Sequence, residues 1–299
     1  MKVLIVGAGV IGTVFGAHLA AAGASVAVLA HGRRTDDVAR DGLVARDVII
    51  GAETRASVEV VSEPAEQVDL GLISVRRDQL DSTLQSLATL PAETGLLLFG
   101  NNPAGRSGSQ RYPHQIFLGF PGVAGTLVDG AAHYAVVRQQ PTALEHTADP
   151  RLLELRILLE RRGLPVQRVE HMDGWLAYHA VFIASICSAL YRCGTDPCQL
   201  ANNRSTLNLM CAAITEGFSY LHSQHVRGAP ANLDLLHRWW LRPFAVRYWA
   251  RTLRSEQGEI YFGAHARQAR AEMKALADDV LAIAGNGASM SNLKHLLGR

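Results

Sequence analysis

The residues best placed to do chemistry are glycines. Gly7-Ala8-Gly9-Val10-Ile11-Gly12 spell G-x-G-x-x-G at the head of the chain. In this spacing Gly7 permits a tight turn, Gly9 lets backbone approach a pyrophosphate, and Gly12 lets a helix pack closely on the preceding strand. The helix N-terminus behind the turn offers N–H groups and a positive dipole end, which suits the diphosphate of a dinucleotide. A second cluster follows at His31-Gly32-Arg33-Arg34. Enzymes that select the unphosphorylated dinucleotide carry an acid near this point to bind the ribose 2′-hydroxyl. Here the chain offers His31, Arg33 and Arg34, and an arginine fork matches a 2′-phosphate. The expected cofactor is therefore NADP(H). A plain solvated basic turn is the alternative, as is Asp36 or Asp37 swinging back to a hydroxyl.

These residues need a strand before them and a helix behind. Residues 2–6 (KVLIV) form a continuous aliphatic run, as in a strand buried on both faces of a parallel sheet, and a small-residue helix is expected to about residue 22. A second strand is expected over 25–30, then a polar stretch with a short hairpin, strands at 58–61 and 70–75, a helix over 78–90 and a strand at 96–99. Further strands are expected at 114–119, 133–137 and 165–169, with a helix over 150–162 and a loop over 141–150. Beyond residue 171 the pattern turns helical, with helices expected over 173–192, 205–225, 233–253 and 259–284. The fold class is thus α/β, an N-terminal Rossmann-type doubly wound sheet plus a C-terminal all-helical domain. Residues 1–169 would bind the dinucleotide, and 170–299 would form a helical substrate or dimerisation domain. A helical domain at the carboxyl ends of the strands would close a cleft over the nicotinamide. Asn101, just after the strand at 96–99, could hydrogen-bond the nicotinamide ribose or the substrate, although Asn102-Pro103 beside it also makes an ordinary turn.

Composition narrows the function. The 29 basic and 27 acidic residues of this 299-residue chain are scattered, so no basic stripe points to nucleic acid. No uninterrupted apolar run approaches a membrane span and no signal-peptide layout opens the chain, so a cytoplasmic protein with no membrane partner is expected. Cys187, Cys193, Cys198 and Cys211 lack C-x-x-C spacing, which suggests free thiols and no metal site. The aromatic stretch over 239–249 hints at a contact between domains or between the subunits of a homodimer.

Taken together, the motifs resemble those of the ketopantoate reductase (2-dehydropantoate 2-reductase) family over nearly the whole length. The shared signs are the N-terminal G-A-G-V-I-G-T-V-F-G, Ser74-Val75-Arg76 with Gln79, Asn101, Asp173-Gly174-Trp175, and Glu259-Ile260. The resemblance implies NADPH-dependent reduction of the carbonyl of a small 2-oxo-acid-like substrate. It assigns Val75 and Arg76 to the cofactor, Arg76 standing where the family has a lysine. It also implies that Glu259 contacts the cofactor or a substrate hydroxyl, though a helix-start glutamate is equally served by the helix dipole. The family's general acid is a lysine two residues after the tryptophan, and here that position is Ala177. Val181 and Ser185 replace pocket asparagines, and Arg247 aligns with a substrate-contacting serine. On a helix Tyr178 points within about 100° of Ala177, whereas His179 lies about 200° around. Tyr178 is the better placed substitute and His179 the better acid near neutral pH, and either could instead be a packing residue. Three readings follow: a reductase with a remodelled acid, an NADP(H)-binding or regulatory protein that has lost the reaction, or an engineered lysine-to-alanine variant of an active reductase.

Overall fold

The last four residues of β1 (Lys2–Val6) are buried, and the strand pairs in parallel with a neighbour on each side. A strand with no polar face belongs in the middle of a parallel sheet. In the computed structural model, residues 1–64, 67–109, 111–285 and 290–298 are described. The chain divides into two compact units, one made of Met1–Gly100 and Arg106–Met172, the other of Asn101–Gly105 and Asp173–Arg299. Sequence placed one boundary at 169–170. The chain crosses at 172–173 and also makes a short earlier excursion at 101–105.

After β1, unit 1 runs α1 (Val10–Ala21), β2 (Ser25–Leu29), α2 (Arg33–Asp41), β3 (Leu43–Asp47), β4 (Glu53–Ala56), β5 (Glu59–Val61), β6 (Leu70–Ile73), α3 (Leu80–Ser86) and β7 (Gly95–Phe99). Then come β8 (Gln115–Phe120), β9 (Val123–Val128), β10 (Ala131–Val136), β11 (Thr142–Glu145), α4 (Pro150–Arg161) and β12 (Val166–Val169). Eight strands form one sheet in the order β12-β11-β8-β7-β6-β1-β2-β5, parallel except where β11 meets β8. From β1 the chain winds outward through β2 to β5, then returns to β6 on the other side of β1. The switch in strand order therefore lies between β1 and β6, where open α/β sheets bind ligands at the strands' carboxyl ends. The expected hairpin is β3–β4, part of a second sheet in the order β4-β3-β10-β9 that packs on α1.

Unit 2 is helical: α5 (Met172–Arg192), α6 (Pro197–Asn202), α7 (Arg204–Ser223), α8 (Ala231–Leu236), α9 (Arg242–Leu253), α10 (Glu256–Gly258), a π-turn (Glu259–Gly263), α11 (Ala264–Gln268), α12 (Arg270–Ala284) and α13 (Ser291–Leu296). Two of the long helices read from sequence are broken, at 237–241 and at Ala269. Although polar residues interrupt it, α5 is long and apolar enough to cross a bilayer by length and average composition alone. It is a core helix, with 83% of its apolar window buried inside the protein.

Candidate cofactor and substrate site

The phosphate turn is built as its glycines require. Gly7 has φ +96°, the left-handed region that favours glycine, and its N–H donates to the Leu29 carbonyl at 3.1 Å. A Cβ on Gly12 would overlap the Gly7 carbonyl oxygen and lie 2.7 Å from Ser74 Oγ, so α1 approaches β1 and β6 as only glycine allows. Ser74 Oγ lies 2.9 Å from the Gly7 carbonyl and 3.2 Å from that of Val6, and pins the turn to β6. Val75 packs its Cγ1 against Gly7. Gly9 differs: a Cβ there would meet nothing within 4 Å. The space over Gly9 opens at the N-terminus of α1, which has no side-chain cap, comes just after Ala8 and begins with Val10 and Ile11 of the motif. This is the cradle a diphosphate needs: open room beside backbone and uncapped N–H groups.

The structure separates the two arginines of the basic turn. Arg34 donates from Nε to the Ala8 carbonyl (2.9 Å), from Nη2 to Thr13 Oγ1 (3.2 Å) and from Nη1 to the Gly130 carbonyl (3.0 Å). It also pairs with Asp37 at 3.4 Å. Most of its donors therefore brace the phosphate turn against the β9–β10 hairpin. His31 and Arg33 are exposed at the start of α2, beyond the carboxyl end of β2. Arg76 is exposed beyond β6 and pairs with Asp78 at 3.6 Å.

In unit 2, Asn101 Nδ2 donates to Glu272 Oε1 at 2.8 Å, across 171 residues of sequence. Asn101 Oδ1 is buried and has no hydrogen-bond partner among the described residues. The short excursion is held in place locally: Asn102 Nδ2 donates to the Gly105 carbonyl at 2.6 Å, and Gly105, at φ +58°, packs so closely on Asp173 that a Cβ would overlap it. Glu272 is buried near the start of α12, and its negative charge helps push the Cys187 thiol and the Tyr191 phenol, already raised by burial, up to about 12. Sequence reasoning missed Glu272. Its signal was an acid inside the apolar stripe Ala269, Met273, Leu276, Ala277 and Val280, all buried. Glu259, the acid implied by resemblance, is instead exposed in the π-turn and ion-paired with Arg267. A π-turn and a break at Ala269 lie between the two acids and reset which positions face inward.

The two substitutes weighed for the missing lysine are committed to packing. Tyr178 is fully buried on Phe218, and its hydroxyl donates to the Val226 carbonyl at 3.0 Å. Burial pushes its phenol up to about 12. His179 is buried with its ring stacked on Trp175 at 5.0 Å and 6°, and burial lowers it to about 3, so it stays neutral at physiological pH. Ala177 and Val181 are also buried, and Gly217 lets α7 close onto Val181. Ser185 is fully buried, with its hydroxyl unpartnered among the described residues. Arg247 is exposed on α9.

The family model described as ketopantoate reductase PanE/ApbA matches residues 3–152. Among solved structures, a PanE/ApbA family ketopantoate reductase from Ralstonia eutropha JMP134 is similar at TM-score 0.77 and 18% identity, with 99% of this chain and 96% of that one covered. D-mandelate dehydrogenase with NADH and anilino(oxo)acetate is similar at TM-score 0.77 and 16% identity, covering 99% and 96%. The probable 2-dehydropantoate 2-reductase of Bacillus subtilis follows at 0.72 and 16%, covering 100% and 98%. No curated protein matches by sequence. At these identities the structures speak for the fold, while the family model, spanning half of the chain over β1 to the start of α4, speaks for descent: the chain belongs to the ketopantoate reductase PanE/ApbA family.

Proposed function

We propose that the chain is an NADP(H)-dependent reductase of the carbonyl in a small 2-oxo-acid-like compound, in which Glu272 does the work a lysine at position 177 would have done. The observation that carries this is the part-buried Asn101–Glu272 pair, with the buried Asn101 Oδ1 left unsatisfied among the described residues. A buried acceptor without a partner costs about 1–3 kcal/mol, which a ligand hydroxyl or N–H would recover. The nicotinamide, when bound, supplies hydride. A carbonyl that accepts hydride becomes an alkoxide and needs a proton. Tyr178 and His179 are engaged elsewhere, so we assign delivery of the proton to Glu272, whose carboxyl takes it from solvent before hydride transfer and is left as carboxylate afterwards, with Asn101 orienting it. The open cradle over Gly9 holds the diphosphate, and exposed Arg33 meets the 2′-phosphate.

A second reading, nucleotide binding without turnover, draws on the burial of Ala177 and the packing of its neighbours. NADPH oxidation on a panel of 2-oxo acids separates the two. The reductase reading expects turnover, lost by about 10²- to 10⁴-fold in Glu272→Gln with NADPH affinity held within about twofold. NADPH binding with no turnover on any 2-oxo acid supports the second reading.

A further inference from the structure

The first turn of α12, which carries Glu272, begins without a hold of its own. α11 stops at Gln268, and Ala269, at φ −110° and ψ +31°, stands between it and α12. Ala269 is the N-cap of α12 and supplies no side-chain hydrogen bond. Alanine is a poor residue there, because it offers no acceptor to the free N–H groups of the first turn. Glu272 lies three residues beyond this break, yet its carboxylate meets Asn101 Nδ2 at 2.8 Å. Something outside the helix has to fix it.

Tyr191, in the last turn of α5, touches both sides of the break. Its hydroxyl donates at 2.9 Å to the carbonyl of Ala266, in the last turn of α11, where helix carbonyls lose their own partners. Its ring lies under the Arg270 guanidinium, whose central carbon is 4.8 Å from the ring centre, and Arg270 is the first residue of α12. One side chain thus holds the end of one helix by a hydrogen bond and the start of the next by a cation–π contact. Burial, and then the charges of Cys187 and Glu272, push the Tyr191 phenol up to about 12, so it keeps its proton and goes on donating at physiological pH.

We infer that Tyr191 is a positioning residue for Glu272: it clamps the break between α11 and α12 and so holds the carboxylate on Asn101. Its effect on turnover rests on the reading of Glu272 as proton donor, and its effect on the Asn101 contact does not. Two measurements keep these apart. The first is the side-chain amide signal of Asn101 by NMR, identified by its loss in Asn101→Ala. Tyr191→Phe keeps the ring and removes only the hydroxyl, and should shift that signal while far-UV circular dichroism stays unchanged. The second is kcat for NADPH oxidation on a 2-oxo acid. Tyr191→Phe should lower it about ten- to hundredfold, as displacing a reacting group by about 1 Å does, with KM within about twofold. In a Glu272→Gln background the same substitution should change kcat by less than about twofold, since no donor is left to position. An unmoved Asn101 signal overturns the inference. So does an equal loss of kcat in both backgrounds, which is what a merely structural tyrosine would give. If Glu272→Gln turns over normally, or no 2-oxo acid is reduced at all, the reading of Glu272 as donor fails, and the Asn101 signal alone decides on Tyr191. Should Tyr191→Phe misfold, Arg270→Ala, at an exposed position, takes its place, with the same shift and a kcat about two- to fivefold lower expected.

Discussion

The two arginines that sequence treats as one fork have different surroundings, and this bears on cofactor choice. Arg33 is exposed at the start of α2, whereas Arg34 holds the Ala8 and Gly130 carbonyls and Thr13. Replacing Arg33 with alanine should weaken NADPH binding by about tenfold or more and leave NADH binding nearly unchanged, the loss of one charge-assisted contact. Arg34→Ala should weaken both nucleotides together and lower the melting temperature, because it strips partners from part-buried carbonyls at a cost of about 1–3 kcal/mol. Calorimetric titration with both nucleotides checks this, and equal losses in the two variants would contradict the division. Legibility at this scale follows the same line. The glycines could be read because their roles are backbone roles fixed by local spacing. The contact of Glu272 could not, because it needs a partner 171 residues away and a helix phase set by an upstream π-turn. Tyr178 and His179 were legible as residue types but not as contacts, since a side chain's direction depends on what its helix packs against.

Among the elements, β1, α1 and β2 follow from the sequence because an aliphatic run, a glycine turn and a small-residue helix agree at every level. β9 and β11 escape it. β9 carries Gly125 and Thr126 in mid-strand, and β11 directly follows Pro141, so turn residues mask pairing that comes from the neighbouring strands. The long helix expected over 233–253 breaks because Pro243 can stand only in the first turn of α9. The β1–α1 junction gives a sharp contrast. Gly9→Val should leave the melting temperature within about 2 °C and abolish nucleotide binding, since its side chain enters open space that only a ligand would claim. Gly12→Ala should unfold or strongly destabilise unit 1, since its Cβ overlaps the Gly7 backbone and no rotamer relieves that. Thermal unfolding with and without NADPH distinguishes them. A destabilised Gly9→Val would mean that the space is not free.

Among the described residues, burial depresses three histidines far enough to hold them neutral near pH 7. Burial lowers His18 to about 4, His179 to about 3 and His237 to about 4, against an ordinary value of 6.5. The His18 ring bonds the Tyr134 hydroxyl at 2.8 Å, and Trp249 Nε1 donates to His237 Nε2 at 3.1 Å. The unfolded chain binds protons below about pH 6.5 that the folded chain refuses until pH 3–4, so acid favours unfolding. Stability should be level above pH 7 and fall between pH 6.5 and 4, by up to about 1.4 kcal/mol per pH unit for each histidine. Urea midpoints across that range measure it, and His179→Phe should remove one proton's worth of slope. The excursion at 101–105 carries a different consequence, for the order in which the protein is made. Asn101 leaves the ribosome some 170 residues ahead of Glu272, and its host unit is complete only when α12 and α13 have emerged. Through most of synthesis Asn101 is without its Glu272 partner, and a chain stopped before residue 272 cannot form that bond.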